Sequence, residues 1–304
     1  MSSKFLIINC DDFGQSPATN QAIMHLLEER KVSSATMMVP APGFEEAAEW
    51  CKRRNQFNIG LHLTLTSEFD RLRWRSVTGH PSLHDDSGYM HKSVEEFERK
   101  ADTAAVLLEM EAQYQIMRKF GFPITHADNH MGSLYGMATG RSHIPQVLRK
   151  CAKWDLPFRL FRKVHPDDPL LASIPGVERV VRKASALAGV LGVAIPDYLL
   201  SHPFQVLEGE TYEQFKQSMM TKLYNLPDGI SETYIHPGVD DAHMGSRIPH
   251  WEKRVWEYRL MLDDDFSYAI KDAGVTLTNY AYVRKYGKSS RIYSIGVLIQ
   301  EIFR

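Results

Sequence analysis

Two adjacent carboxylates, Asp11 and Asp12, follow the apolar run Phe5–Ile8 near the start of the sequence. A buried strand that ends in two carboxylates is not ordinary packing, because carboxylates are seldom buried without a partner. Like charges this close resist ionising together unless a cation lies beside one of them. A metal ion on one carboxylate and a base role for the other would resolve the conflict. The alternative, that one aspartate caps a helix beginning near Ser16, explains only one of the two.

Composition limits the classes of partner. The 304 residues are 43% hydrophobic, enough for one α/β barrel or two smaller domains. A net charge of -1, from 36 basic and 37 acidic residues, predicts no nucleic acid and no membrane surface as partner. We find no signal peptide and no apolar run near the length of a membrane span, so we expect a cytoplasmic protein. Cys10, Cys51 and Cys151 lack CxxC spacing and are expected to be reduced.

Strands and helices alternate regularly at the start of the chain, which predicts a parallel sheet. The predicted strands are Lys4–Cys10, Ser33–Val39 and Phe57–Leu65, and the predicted helices are Ser16–Glu29 and Glu45–Arg54. The alternation stops in residues 66–92, which are polar and without a clear period. A loop this long in a compact enzyme predicts a lid or a binding loop.

The alternation resumes after this loop. Ser93–Phe120 is predicted as one helix, with Ser93 and Glu96 forming a capping box at its start. Further strands are predicted at Ile124–Asp128, Phe158–Phe161, Tyr198–Ser201, Ser231–Ile235 and Val275–Leu277, and further helices at Pro145–Trp154, Val177–Leu191, Thr211–Leu226, Trp251–Leu262 and Phe266–Ala273. About eight strands alternating with helices predict a TIM-barrel-like α/β barrel. We expect residues 1–304 to form one domain.

The tail from residue 289 to residue 304 is strongly apolar, with Ile292, Ile295 and Ile299 among its members. A terminus of this composition is expected to be docked. It could cover its own barrel, or it could bind a second subunit and make a homodimer.

Several titratable residues fall at the predicted carboxyl ends of strands. They are Asp11, Asp12, His62, Asp128, His130 and His236. In a parallel barrel these ends meet on one face. Two imidazoles and a carboxylate with an open coordination position make a hydrolytic metal site, in which the ion acidifies water and polarises a carbonyl. A histidine bonded to backbone in the core remains the alternative for His62 or His126 taken alone.

Four motifs carry a family resemblance. They are Asn9-Cys10-Asp11-Asp12-Phe13-Gly14, Gly60-Leu61-His62-Leu63-Thr64-Leu65-Thr66, Thr125-His126-Ala127-Asp128-Asn129-His130 and His236-Pro237-Gly238. In order and spacing they resemble the signatures of the YdjC-like carbohydrate deacetylases, a family that includes chitooligosaccharide deacetylases. The resemblance extends from residue 4 to about residue 282. It implies a barrel related to those of polysaccharide deacetylases, and removal of acetyl from an N-acetylated mono- or oligosaccharide.

The resemblance also implies roles for individual residues. Asp12, His62 and His130 look like the ligands of one divalent metal ion. Asp11 looks like the general base, and His236 is placed to act as the acid on the leaving amine. Arg159 and Asp128 are expected on the substrate side, and Asp128 is the next candidate for the base. Two histidines and a carboxylate suit Zn²⁺ as the bound ion, whereas the family resemblance implies Mg²⁺.

Two other functions stay open from the sequence. The chain could be a metal-dependent hydrolase of another amide or an ester. It could also be a sugar-binding protein that keeps the pocket without turnover, although such a protein would have little reason to keep a complete acid, base and ligand set.

Overall fold

The computed structural model describes residues 3–56, 58–165, 168, 170–171 and 174–302, with the side chains of residues 242, 243 and 302 left out. Its strands are β1 (Lys4–Phe13), β2 (Ser34–Met37), β3 (Ile59–Leu63), β4 (Ile124–Asn129), β5 (Tyr198–Leu200), β6 (Gly229–Ile235) and β7 (Thr276–Leu277). They form one parallel sheet in the order β4-β3-β2-β1-β6-β5, and β7 pairs with β1. The central strand therefore carries the two aspartates.

Helices connect and cover these strands, as parallel pairing requires. They are α1 (Pro17–Glu28), α2 (Phe44–Arg54), α3 (Val94–Lys100), α4 (Thr103–Lys119), α5 (Ile144–Trp154), α6 (Val177–Leu191), α7 (Tyr212–Tyr224), α8 (Ala242–Gly245), α9 (Trp251–Leu262), α10 (Asp264–Asp272), α11 (Tyr280–Tyr286) and α12 (Arg291–Ile302). The main core lies between the helices and one face of the sheet, where Leu6, Ile8 and Cys10 are fully buried. Because strand side chains alternate, Ile7, Asn9 and Asp11 point to the opposite, inner face.

The sheet is a curled half-barrel whose two edge strands are bridged by an irregular segment, residues 157–163. On one side Ala127 N donates to Pro157 O at 2.9 Å, and Arg159 N donates to Ala127 O at 2.9 Å. On the other side Arg162 N and Lys163 N both donate to Asp197 O at 3.0 Å, just before β5. The predicted barrel-like α/β fold is therefore confirmed.

The strand predicted at Phe158–Phe161 is wrong. Leu160 N bonds back to Phe158 O at 2.8 Å, a three-residue turn that interrupts any ladder. Only one bridge remains, between Phe158 and Ala127.

The single helix predicted over Ser93–Phe120 is also wrong, because it is two helices, α3 and α4. Ser93 caps the first, accepting from Glu96 N at 3.1 Å, but the Glu96 carboxylate pairs with Lys100 at 3.4 Å, so only the Ser93 half of the predicted capping box forms. Asp102 then starts the second, accepting from Ala104 N at 3.3 Å while its own N–H bonds Ser82 Oγ at 3.0 Å. A cap side chain competes with helix continuation, which explains the break. β3 covers Ile59–Leu63 and is therefore shorter at both ends than the predicted strand Phe57–Leu65. Phe57 itself lies outside the described residues.

The apolar tail packs on its own chain, along α6. Ser294 of α12 lies so close to Gly189 that a Cβ there would meet its Oγ at 2.1 Å. Glu301 pairs with Arg179 at 2.8 Å and with Arg182. The outer face of α12 still leaves Ile292 84% exposed and Tyr293 70% exposed. Phe303, also predicted in the tail, lies outside the described residues. In the described part of the chain, every helix is too short or too polar to cross a membrane.

Candidate active site

The end of β1 aims both aspartates at one cavity. The strand was predicted to stop at Cys10, but it continues to Phe13 with a register shift between Cys10 and Phe13. At this bulge Asp12 has φ 64°, a left-handed conformation that is unusual for a residue other than glycine. A bulge changes the direction of one side chain relative to its neighbours. Consecutive residues, which a regular strand would point to opposite faces, thus both line the cavity.

Asp12, His62 and His130 come together at the ends of β1, β3 and β4. Asp12 Oδ1 lies 3.5 Å from His62 Nε2 and 3.2 Å from His130 Nδ1. This oxygen is buried and has no hydrogen-bond partner among the described residues. The three ligand atoms lie within 4.8 Å of one another. A buried, unpartnered carboxylate oxygen facing two ring nitrogens fits a metal ion, so these three residues could hold one.

Each of these three side chains is held from behind. His62 Nδ1 lies 2.7 Å from Asp128 Oδ1, and His130 Nε2 lies 2.9 Å from Glu68 Oε2. The second oxygen of Asp12 accepts from Gln15 Nε2 and from Arg254, both at 2.9 Å. Carboxylates behind ligating histidines fix the ring orientation and leave the other nitrogen for the metal.

Three of these supporting residues were not found from the sequence. Glu68 belongs to the polar segment 66–92. The only sequence feature that marks it is an acidic side chain a few residues after β3. Arg254 and Gln15 reach Asp12 from helix α9 and from the turn after β1, and no local pattern indicates those contacts.

The histidines bind protons tightly in this charge environment. Burial opposes the charged ring of His62, but Asp128 and Asp12 outweigh it and raise its pKa to about 10. Burial likewise opposes the charged ring of His130, and Glu68 with Asp12 raises its pKa to about 9. Surroundings that stabilise a positive charge on these rings also stabilise a cation between them.

Asp11 belongs to a different set of contacts, centred on Arg159. Arg159 donates to both oxygens of Asp11, at 2.6 and 2.7 Å, and its Nε donates to Glu232 at 2.9 Å. It also lies 2.8 Å from Asp128. Burial raises the pKa of Asp11, but the charge and hydrogen bonds of Arg159 outweigh it and lower the pKa to about 2. Asp11 is therefore ionised and rigidly oriented.

A second set, Asp11, His62 and Asp128, is also close enough to share an ion. Its carboxylates are already paired with Arg159, and its histidine nitrogen is bonded to Asp128. The set around Asp12 is the better fit, because only there does a buried oxygen lack a partner.

His236 follows β6 and lines the same cavity as Asp11 and Asp12. Its backbone N–H donates to Glu257 Oε2 at 2.7 Å, and its Nδ1 lies 4.0 Å from Glu257 Oε1. His202 Nε2 lies 2.6 Å from that same Oε1. The imidazole packs between Phe204 and Tyr234, with ring centroids at 5.1 and 5.7 Å. The backbone of His236 is thus held by a buried carboxylate, its ring is held by two aromatic neighbours, and the residue lines the cavity.

The two residues predicted on the substrate side lie at different depths. Arg159 lines the cavity, whereas Asp128 is fully buried behind His62. From the polar segment 66–92, Glu68 and Phe69 line the cavity, and the Trp74 ring lies 5.8 Å from His130. The segment therefore borders the site, and its closing as a lid stays a prediction.

The chain is similar in sequence to proteins named as deacetylases. It is 28% identical to a carbohydrate deacetylase from Enterococcus faecalis over 284 residues, which are 92% of this chain and 98% of that protein. It is 35% identical to a chitooligosaccharide deacetylase from Proteus mirabilis over 126 residues, 41% of this chain and 48% of that one. A solved structure from Enterococcus faecalis, described as a candidate cellobiose-phosphate cleavage protein, superposes with a TM-score of 0.70 at 26% identity, covering 93% of this chain and 99% of that one.

The family described as YdjC-like protein matches residues 5–272. That range contains all four motifs and every residue that we predicted to act in the site. The chain belongs to the YdjC-like family.

Proposed function

We propose that this protein is a metal-dependent deacetylase that removes the acetyl group from an N-acetylated mono- or oligosaccharide. One observation carries the proposal: Asp12 has an unpartnered buried oxygen between two imidazoles, directly beside an oriented, ionised Asp11. The names of the relatives support the carbohydrate as the substrate class.

Asp12, His62 and His130 would hold one divalent ion. Such an ion supplies Lewis-acid polarisation of the acetamide oxygen and a lowered pKa for bound water. Two histidines and one carboxylate favour Zn²⁺ over Mg²⁺, which prefers oxygen ligands. We therefore propose Zn²⁺ or a similar transition ion, with Mg²⁺ as the alternative that metal reconstitution decides.

Asp11 and His236 would move the protons. Asp11 is the base that takes a proton from the attacking water, and Arg159 keeps its two oxygens in place for this step. His236 would give a proton to the departing nitrogen, and Glu257 holds the backbone N–H of His236. Acid and base would then come from two different strands, His236 from the end of β6 and Asp11 from β1.

Acetate release tests the proposal directly. The protein is stripped of metal, reconstituted separately with Zn²⁺, Mg²⁺ and other divalent ions, and assayed on N-acetylated mono- and oligosaccharides beside non-sugar amides and esters. Release from sugars alone is expected. Turnover confined to the amides or esters would favour the broader hydrolase. Sugar binding without turnover under any metal would favour a binding protein.

We further propose that residues 1–304 act as one domain in the cytoplasm. The three cysteines are buried and free, which suits a reducing compartment. The exposed apolar residues of α12, Ile292 and Tyr293 among them, support a homodimer through this helix. Light scattering at micromolar concentration is expected to give twice the mass of the chain, and Ile292→Glu should lower it to that of a monomer.

A further inference from the structure

The cavity that contains the proposed metal site has a second, chemically different end. Its total volume is 1380 Å³, larger than the about 300–1,000 Å³ that is typical of pockets for compact ligands. The metal end is lined by charged groups. The other end, which we call the aliphatic lobe, is lined by Leu160, Phe161, Leu199 and a row of side chains from α6, and α12 closes it through Leu298.

The α6 side chains in the lobe follow helical spacing. The apolar ones are Val177, Val180, Val181, Ala184 and Leu187, which recur at intervals of three, one, three and three residues, and the exposed Lys183 also lines this part of the cavity. Such a stripe normally faces the protein core. Here Ala184 and Leu187 pack on the main core, and Val177 and Val181 pack with Phe161 and Leu199. All five stripe residues also line the cavity, and Val180 is 63% exposed. An aliphatic stripe that lines an open cavity is expected to bind an apolar group, because binding removes the apolar surface from water.

The lobe is continuous with the reacting centre. Tyr234 links the two ends, because its ring lies 5.0 Å from the guanidinium of Arg159 and packs with Phe161, Val181 and Leu199 on its other side. Arg159 in turn holds Asp11 at 2.6 Å. A single molecule in this cavity can therefore place one part at the metal end and another part in the lobe.

A longer sugar chain suits the lobe poorly. Each sugar hydroxyl that enters an aliphatic surface loses water without gaining a partner, and this desolvation is costly. Two charged residues line this end, Lys183, which is exposed, and Glu301, which is already paired with Arg179 and with Arg182. An alkyl chain has no hydroxyls to satisfy and gains from every methylene that it buries.

From this cavity we infer that the substrate is an amphiphile, an N-acetylated sugar that carries an alkyl chain, with the chain in the aliphatic lobe. The inference rests on the proposed deacetylase function and names the substrate class more narrowly. Part of the lobe lies outside the family resemblance, because α12 begins at Arg291 and the YdjC-like match ends at residue 272.

The test uses the methyl, hexyl and octyl β-glycosides of N-acetylglucosamine, below the concentrations at which they form micelles. Acetate release gives kcat/KM for each, and calorimetry with the same compounds gives affinity without requiring turnover. Burial of a methylene is worth about fourfold in binding, so we expect kcat/KM and affinity to rise at least about 100-fold from methyl to octyl.

Two variants locate the effect. Ala184→Trp fills the lobe and should reduce the octyl-to-methyl ratio at least about tenfold, because the alkyl chain loses its space. Glu178→Trp places the same side chain on an exposed position of α6 that does not line the cavity, and it should keep the wild-type ratio. Circular dichroism of both variants verifies the fold before the ratios are compared.

The outcomes separate the two proposals. Methyl glycoside turnover without any dependence on chain length overturns the amphiphile and leaves the deacetylase standing. Affinity that rises with chain length and falls in Ala184→Trp, without acetate release from any compound, supports the alkyl site and overturns the deacetylase. A chain-length effect that is unchanged in Ala184→Trp overturns the lobe as its location.

Discussion

Asp11 and Asp12 are adjacent in the chain and both buried, yet their carboxylates have opposite surroundings. Both oxygens of Asp11 are taken by Arg159. Asp12 is bonded through one oxygen only, and the other faces His62 and His130 without a hydrogen bond from the described residues. Arg159 bonds both oxygens of the first carboxylate, whereas Arg254 bonds only one oxygen of the second and leaves the other facing the two histidine rings. Two like charges can therefore share a bulge because each has a guanidinium partner of its own.

Adjacency in the sequence therefore does not imply a shared role. Arg159 is a permanent cation supplied by the chain itself, so Asp11 is ionised whether or not a metal is bound. Asp12 has such a permanent cation, Arg254, on one oxygen only, and its other oxygen faces the two histidine rings, where a metal ion could bind. Substitution of Asp12 should therefore remove metal binding, whereas substitution of Asp11 should reduce turnover and leave the metal bound.

The largest effect is expected from Asp12→Asn. It removes the charge that faces both histidines, so metal binding and activity should be lost together. The loss of metal affinity should exceed the about 10- to 100-fold that accompanies loss of a residue behind a ligand. Elemental analysis after dialysis against a fixed free metal concentration measures it. Full occupancy in this variant would remove Asp12 from the ligand set.

Asp11→Asn should reduce turnover without affecting metal binding. The amide keeps the volume of the acid, and Arg159 keeps Asp128 and Glu232 as partners, so the fold should persist. Metal content should stay at the wild-type level, while turnover falls by about 10²–10⁴, the usual contribution of a positioned base. Acetate release by the metal-loaded variant is the measurement. A wild-type rate would direct attention to Asp128 as the base.

The sequence indicates much of this site because parallel strands bring their carboxyl ends together. Asp12, His62 and His130 are far apart in the chain, but each lies at or near the predicted carboxyl end of a strand, and that position predicts that they meet. The barrel itself follows from the same alternation of strands and helices. Local sequence patterns therefore predict both the barrel and the meeting of these three residues.

The rest depends on contacts that no local pattern records. Glu68 reaches His130 from an aperiodic loop, and Arg159 reaches Asp11 because a three-residue turn replaces the strand predicted at Phe158–Phe161. The left-handed backbone of Asp12 is equally invisible, because nothing in its sequence neighbourhood requires a bulge. The break between α3 and α4 was missed because apolar periodicity continues across it, although Asp102 is a strong capping residue.

Glu68→Ala tests a contact that supports Asp12 indirectly. Without the carboxylate, His130 loses the partner that fixes its ring, and metal affinity should fall about 10- to 100-fold. Asp70→Ala is the matched control, because Asp70 lies in the same loop, is exposed and pairs only with Lys92 among the residues described. Equal losses of metal in the two variants would mean that the loop acts through its folding and not through Glu68.

The smallest expected effect is a displacement of the acid limb of the pH profile. The pKa of Asp11 lies near 2, so Asp11 stays ionised at pH 4 and above and cannot cause a loss of activity between pH 7 and 5. His62 and His130, with pKa values of about 10 and about 9 before metal binds, both carry protons at neutral pH. A metal ion must displace these two protons, so each fall of one pH unit weakens apparent metal affinity by up to about 100-fold.

This competition predicts an acid limb that depends on metal. Tenfold more free metal should displace the acid limb of kcat/KM to lower pH by about half a unit, because two protons are released for each ion bound. The measurement is kcat/KM against pH at three free metal concentrations held by a metal buffer. Asp11→Asn should be slower throughout but should show the same displacement, because its metal site is intact. An acid limb that stays at one pH while metal varies would mean that a group outside the ligand set controls it, and the separation of roles between Asp11 and Asp12 would fail at that point.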